Sequence, residues 1–242
     1  MESRRLVAHR GYPRRYPENT LVGIGAALRL GASWVEVDVQ LTSNREPVLF
    51  HDRDTGRICN VRGTIHGRSL AQLGELRAAH RSAFGDEFAQ VRVATLDEHV
   101  ALLDQHPEAK TFVEIKSIAV EQFGADVVVG TVLERLAPLV GRAVVISFSL
   151  DAVVEARQRG WADLGLILRE WSMRSLQRAA ALEIGYMVCN VRKMPWLGKV
   201  GQDGHVLAVY DVVRPSRAER WGRRGADLVE TFAIGEMLED SR

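Results

Sequence analysis

The sequence predicts an α/β fold, a closed (β/α)8 TIM barrel with one hairpin excursion and a small insertion at about residues 53–94. Three observations predict it. The chain has 242 residues, close to the roughly 250 that one such barrel occupies. Short apolar, β-branched runs alternate with helical patterns along its length, as in a parallel α/β sheet. No Pro/Gly/Ser-rich linker divides it, so residues 1–242 read as one domain.

Strand signals occur in order at Leu6–His9, Val35–Leu41, Val48–His51, Thr111–Lys116, Val144–Phe148, Gly165–Leu168, Tyr186–Asn190, Val206–Tyr210 and Leu228–Thr231. That is one more than a barrel needs. Only a few residues separate Leu41 from Val48, fewer than the roughly ten to twelve of a parallel crossover. These two strands therefore form a hairpin. A two-residue turn at Asn44-Arg45 pairs Thr42 with Pro47 and Asp38 with His51. With the return strand set aside, eight parallel strands remain; alternation alone is also compatible with a doubly wound open sheet.

Helical patterns fill Thr20–Leu30, Leu96–Asp104, Ala125–Leu139, Asp151–Arg159, Met173–Leu182 and Ser216–Arg224. Asn19 and Ser172 stand at N-cap positions, and Gly31 and Gly160 at C-terminal stops. The stretch Arg53–Ala94 has weak periodicity and reads as an insertion over the top of the barrel. Long loops of this kind in compact domains often carry function.

With 46% apolar and 26% charged residues, the chain can bury a sizeable core. Its 32 basic and 31 acidic residues leave a net charge of +1, so no overall field draws it to nucleic acid or an anionic membrane. Any anion it binds is held locally. Only four of the 32 basic residues are lysines, which makes a single arginine less informative and a retained lysine more so. Cys59 and Cys189 are too far apart in sequence to suggest a disulfide framework or a zinc site. The start carries no leader-like apolar stretch, and no run of about 18 apolar residues follows. The expectation is a cytoplasmic protein without stable membrane insertion, binding a small molecule and no nucleic acid.

Within Val35–Leu41, the two-residue strand period puts Glu36 and Asp38 on one face and Val35, Val37 and Val39 on the other. In a barrel the valines meet the helices and the carboxylates point inward near the C-terminal rim, where barrel active sites lie. Buried like charges need a compensating cation, and paired carboxylates suit a hard divalent ion. Glu114-Ile115-Lys116 repeats the geometry on the next parallel strand, offering a third carboxylate and, at Lys116, a charge for a phosphate oxygen. His9-Arg10-Gly11 closes the first strand and His51-Asp52 the hairpin strand. Two imidazoles can serve as a base and an acid near neutrality, and Arg10 offers a planar donor fork. His66, His80, His99, His106 and His205 read as loop or helix-surface residues. No serine-hydrolase elbow, P-loop, zinc-protease or dinucleotide fingerprint is present.

The ordered set His9-Arg10-Gly11, Pro17-Glu18-Asn19-Thr20, Glu36-x-Asp38, His51-Asp52 and Glu114-x-Lys116 resembles the glycerophosphodiester phosphodiesterase family. The likeness continues through Thr95-Leu96-Asp97-Glu98, Ser147-Phe148 and Gly225-Ala226-Asp227-Leu228-Val229. It implies a TIM barrel that hydrolyses glycerophosphodiesters to glycerol 3-phosphate and an alcohol with one divalent cation, Mg²⁺ or Ca²⁺. By motif it implies Glu36, Asp38 and Glu114 as metal ligands, His9 and His51 as the acid–base pair, and Arg10 and Lys116 as phosphate binders. Asn19 reads equally as a site contact and as a helix cap. Departures from the family pattern fall at Asn44-Arg45, at Tyr210-Asp211-Val212-Val213 and at Val229-Glu230-Thr231; they bear on the alcohol-side pocket. Two rivals follow: a lysophospholipase D, with Ile58, Ile65, Leu70, Leu73, Leu76, Phe84 and Phe88 lining an acyl channel, and a non-catalytic phosphoester-binding protein.

Overall fold

The computed structural model describes residues 5–201 and 204–240; residues 1–4, the start of the segment read as leaderless, lie outside them. Nine strands form one sheet among the described residues: β1 (Leu6–His9), β2 (Trp34–Leu41), β3 (Pro47–Leu49), β4 (Lys110–Ile115), β5 (Ala143–Ser147), β6 (Leu164–Leu168), β7 (Tyr186–Asn190), β8 (Val206–Tyr210) and β9 (Leu228–Thr231). Eight are parallel in the order β1-β9-β8-β7-β6-β5-β4-β2, and β2 pairs back onto β1. The ring is closed, which excludes the open sheet.

β3 has a physical reason. β1 covers one edge of β2 only from Trp34 to Glu36, and unpaired strand edges leave backbone donors and acceptors unsatisfied. β3 takes up that edge in antiparallel register, pairing Val39 with Leu49, Gln40 with Val48 and Leu41 with Pro47. This is one residue away from the register expected from sequence. The turn uses three residues, Ser43-Asn44-Arg45, with the Arg45 N–H donating to the Thr42 carbonyl and Arg45 at φ 62°. A two-residue type I′ turn needs two positive-φ residues, whereas the three-residue form needs one, and with no glycine here the chain takes the second. Phe50, not His51, therefore lies opposite Asp38, its N–H donating to the Asp38 carbonyl at 2.9 Å. His51 sits in the loop just beyond.

Val35, Val37 and Val39 are fully buried in the layer between strands and helices. Burying one valine is worth roughly 1.5–3 kcal/mol, and a one-residue slip would move all three into the barrel. Their burial thus fixes Glu36 and Asp38 on the inner face. Lower in the barrel, Trp34 stacks on Phe112 at 4.9 Å beside Tyr186. Val7, Ile146, Ile167 and Val188 fill the space above them.

The helices are α1 (Leu21–Arg29), α2 (Gly56–Cys59), α3 (Leu70–Gly74), α4 (Arg81–Phe84), α5 (Leu96–Asp104), α6 (Ser117–Phe123), α7 (Ala125–Leu136), α8 (Leu150–Gln158), α9 (Met173–Ala181), α10 (Pro215–Arg223) and α11 (Ile234–Glu239). Ser172 caps α9 as expected, but α1 is capped by Thr20, whose hydroxyl accepts from the Gly23 N–H. Asn19 is thereby free for another role. α7 ends before the expected Leu139, and its last residues tighten into a 3-10 turn at Pro138, which has no N–H to continue the helix. The insertion holds only four- and five-residue α-helices and a three-residue 3-10 turn at Ile65–Gly67, too short to print a helical period. Its Ile58, Ile65, Leu73 and Leu76 pack with Val48, Phe50 and Val93 into a small core of their own, with Leu70 against it. No helix among the described residues is long and apolar enough to cross a membrane.

His99 of α5, expected on a surface, is fully buried, with Nε2 3.1 Å from the Thr111 hydroxyl. Burial holds its pKa down at about 4, against about 6.5 in an unfolded chain. The folded state then binds fewer protons than the unfolded state between these values, so stability is lost as pH falls from 6.5 towards 4. His99 alone accounts for about 2 kcal/mol of loss by pH 5. Denaturant unfolding at pH 7.5 and pH 5 is expected to show a smaller acid loss for His99→Gln than for the parent; equal losses would refute the assignment.

Candidate active site

Parallel register assembles the rim. His9 pairs with Glu36 across β1 and β2, and Asp38 with Glu114 across β2 and β4. After β1 the chain turns sharply through Arg10 (φ 56°) and Gly11 (φ 86°). A Cβ on Gly11 would lie 2.8 Å from the Ile24 nitrogen, so only glycine lets this turn press against the start of α1. The turn carries the Arg10 side chain back over β2, where its Nε lies 3.0 Å from Asp38 Oδ2. Lys116, just past β4, reaches Asp38 Oδ1 at 3.0 Å and Glu114 Oε1 at 2.7 Å.

Asn19, at φ 54°, grips Asp38 twice. Its Nδ2 donates to Asp38 Oδ2 at 2.8 Å, and its Oδ1 accepts from the Asp38 N–H at 3.1 Å. One oxygen from each of Glu36, Asp38 and Glu114 lies within 4.8 Å of the others, and all three residues are buried. Glu36 Oε2 accepts from the Arg10 N–H at 3.0 Å, while Oε1 is buried with no hydrogen-bond partner among the described residues.

The electrostatics leave a surplus of negative charge. Burial raises the carboxyl pKa of Glu36, and Asp38, Glu230 and Glu114 raise it further. Glu114 is also raised, by burial and then Asp38, despite Lys116 beside it. Of the three clustered carboxylates, only Asp38 is held well below the usual range, because Lys116, Arg10, His51 and the Asn19 amide together outweigh its burial. Two protein cations thus serve one carboxylate well and leave two under-neutralised around a partnerless oxygen. An all-carboxylate oxygen set of this kind fits a hard divalent cation.

Each of the two site histidines has its Nδ1 beside a carboxylate. His9, buried, has Nδ1 2.8 Å from Asp211 Oδ1 and Nε2 3.6 Å from Glu36 Oε2. Its ring stacks on Phe232 at 4.5 Å and meets Tyr210 edge-on. Burial lowers its pKa, with Asp211 opposing and Arg10 adding to the fall. His51 has Nδ1 2.8 Å from Asp52 Oδ1. Arg57 of α2 donates to Asp52 at 2.7 Å and to both oxygens of Glu18 at 2.8 Å, and Glu18 accepts from Arg10 at 3.1 Å. The buried Gln40 amide donates to the carbonyls of Phe50 and Asp52 at 2.7 and 2.8 Å and to that of His51 at 3.2 Å, fixing the loop that carries His51.

All seven residues singled out from sequence meet at the barrel mouth. His9, Arg10, Glu36, His51, Glu114 and Lys116 line one cavity of about 150 Å³, and Asp38 contacts Arg10 and Lys116 of that lining. Sequence reasoning quoted Glu18 and Asp52 within motifs and Asp211 and Glu230 as departures bearing on the alcohol-side pocket but gave none of them a role in the site, and it did not single out Gln40 or Arg57. Glu230, buried in the same cavity wall and raised by burial and then by Asp211 and Glu114, carried the same inward-charge signal as Glu36. Gln40 shares the strand parity of Glu36 and Asp38. Arg57 was hidden among abundant arginines.

The sequence pattern of the glycerophosphoryl diester phosphodiesterase family matches residues 9–231. A Bos taurus protein named glycerophosphodiester phosphodiesterase 1 is 30% identical over 239 residues, covering 92% of this chain and 70% of that protein. A Bacillus altitudinis glycerophosphodiester phosphodiesterase is 32% identical over 113 residues, 47% of this chain and 45% of that one. The matched part therefore spans about half the length of some curated relatives. An Oleispira antarctica phosphodiesterase, solved in complex with the product sn-glycerol-3-phosphate, superposes with a TM-score of 0.84 at 24% identity over 98% of this chain and 97% of its own. A glycerophosphodiester phosphodiesterase from Agrobacterium tumefaciens gives 0.79 at 20% identity, over 99% and 100%. At these identities the structural likeness is one of fold.

Mg²⁺ or Ca²⁺ is expected to raise the melting temperature, the stabilisation reaching about 2.7 kcal/mol at a concentration of roughly 100 Kd. Glu36→Gln is expected to lose the ion-induced rise, because it removes one carboxylate from the cluster. Thermal melts in EDTA and in either ion check both; an unchanged rise in Glu36→Gln would exclude it from the ion site.

Proposed function

The chain belongs to the glycerophosphoryl diester phosphodiesterase family, and from that membership we propose that it hydrolyses glycerophosphodiesters to glycerol 3-phosphate and an alcohol with one divalent cation. The observation that carries the reading is the meeting of two carboxylate-held histidines, Arg10 and Lys116 around three clustered carboxylates in one cavity. The glycerol 3-phosphate bound in the Oleispira antarctica structure supports the phosphate-retaining half of the substrate.

Glu36, Asp38 and Glu114 hold the cation, Mg²⁺ or Ca²⁺, which when bound supplies positive charge to a phosphoryl oxygen. Arg10 and Lys116 face the same cavity and take up charge that develops on the phosphate. Asn19 keeps Asp38 from turning away, since it bonds both its carboxylate and its backbone. His9 and His51 each commit Nδ1 to a carboxylate, which fixes the tautomer and leaves Nε2 for the proton. One removes a proton from the nucleophile as the new P–O bond forms: attack by water gives glycerol 3-phosphate directly, whereas attack by the glycerol 2-hydroxyl gives a cyclic phosphodiester that water then opens to glycerol 3-phosphate. The other gives a proton to the departing alcohol oxygen as its bond to phosphorus breaks. Asp211 and Asp52 are positioning residues for these two steps.

The lysophospholipid reading loses its main support, because the apolar residues proposed for an acyl channel are largely used in the insertion's own core and Phe88 packs on Tyr16 and Phe84. Both cysteines are free and buried, which favours a reducing, cytoplasmic setting.

Release of glycerol 3-phosphate from glycerophosphocholine, glycerophosphoethanolamine and glycerophosphoinositol, with Mg²⁺, Ca²⁺ or EDTA, tests the activity; no metal-dependent product from any of the three would falsify it. His9→Gln and His51→Gln are each expected to lower kcat by about 10²–10⁴ while retaining the ion-induced rise in melting temperature. Asp211→Asn is expected to lower kcat about tenfold or more with little change in KM, and Asp211→Glu to restore part of it. Parental kcat in Asp211→Asn would remove that residue from the mechanism.

A further inference from the structure

A second cavity, of about 550 Å³, opens beside the first at the same end of the barrel. Phe148 and Ile167 line both, so the two spaces adjoin and only these side chains stand between the phosphate-sized cavity and the larger one. The far wall is formed by the loop after β6 and the first turns of α9. It presents Arg169, Arg174 and Arg178 against a single acid, Glu170.

What sets these three arginines apart from the chain's many others is that they line one cavity together. Arg57, Arg135, Arg157 and Arg159 all hold acidic partners, whereas Arg169, Arg174 and Arg178 make no ion pair among the described residues. Arg174 and Arg178 are four residues apart on α9, an arrangement that costs an isolated helix a few tenths of a kcal/mol through like-charge repulsion. Arg169 lies over the Phe148 ring at 5.2 Å from its centroid, which ties one guanidinium to the wall shared with the catalytic cavity. Three guanidinium groups with no ion-pair partner among the described residues, lining a space large enough for a sugar, suit a group with several anionic oxygens.

We propose that this cavity is a subsite for the alcohol half of the substrate and that it selects an alcohol bearing its own phosphomonoester. The proposal rests on the phosphodiesterase reading and names the substrate class within it. A phosphomonoester brings a charge of about −1.5 to −2 and three acceptor oxygens, which match the arginine cluster. An uncharged alcohol leaves the arginines unpaired, and a cationic one meets repulsion.

The test compares glycerophosphoinositol, glycerophosphoinositol 4-phosphate and glycerophosphocholine as substrates under identical ion conditions. The phosphorylated ester is expected to exceed glycerophosphoinositol at least tenfold in kcat/KM, with glycerophosphocholine the poorest. The triple variant Arg169→Ala/Arg174→Ala/Arg178→Ala is expected to bring that ratio to within twofold of unity. A control with the same charge change at exposed positions outside both cavities, Arg29→Ala/Arg62→Ala/Arg92→Ala, is expected to keep it. A ratio near one in the parent, a ratio unchanged in the first triple variant, or one lost equally in the control overturns the subsite while leaving the activity standing. Failure to hydrolyse any of the three esters overturns the activity, and the subsite with it.

Discussion

Burial of four carboxylates at one rim of a barrel is the constraint from which the rest of this site follows. Glu36, Asp38, Glu114 and Glu230 are all less than a tenth exposed, and an isolated buried charge costs several kcal/mol. Arg10 and Lys116 must reach into the same space, and the path of the chain is bent to let them. The left-handed Arg10 and Gly11 bring one guanidinium back over β2, and the left-handed Asn19 supplies the amide that fixes Asp38. Replacing either cation with an apolar residue would leave charge without a partner, whereas a bound ion would relieve charge that the protein alone does not balance. Stability and ion binding are thus coupled through the same atoms.

A run of charges joins the two sides of the mouth. His51 meets Asp52, Asp52 meets Arg57, Arg57 grips Glu18, Glu18 meets Arg10, and Arg10 returns to Asp38. Through Arg57 the insertion takes part in holding the histidine on the hairpin loop. On the other side His9 is held between Asp211, Glu36 and the Phe232 ring. The two imidazoles are therefore oriented by separate supports contributed from distant parts of the sequence.

The strands and the inner-face charges were legible because they rest on short-range rules. β-branched runs mark strands, and the two-residue period sorts Glu36 and Asp38 from Val35, Val37 and Val39 without knowledge of the fold. The errors fall where the deciding contact is distant or the local options are nearly equal in energy. The hairpin register turned on two- versus three-residue loops, which differ by one left-handed residue. Asn19 and Thr20 were both competent caps, and the choice was made by Asp38, nineteen residues on from Asn19. His99 shows a polar residue on an amphipathic helix, and only the packing of α5 against β4 reveals that it is enclosed. Asp211 lies past a strand end, where no periodicity applies.

β2 is twice as long as β1, and the hairpin occupies the edge that this mismatch leaves free. The ring of parallel pairs closes through Trp34–Glu36 without using β3, while β3 and the segment after it hang from the protruding end of β2 and pack chiefly on themselves. Architecturally the barrel has a mast to which a separate canopy is fastened. The canopy can change in length and sequence under selection for different molecules while the closure of the ring is preserved, provided that it still delivers one histidine and one arginine to the rim.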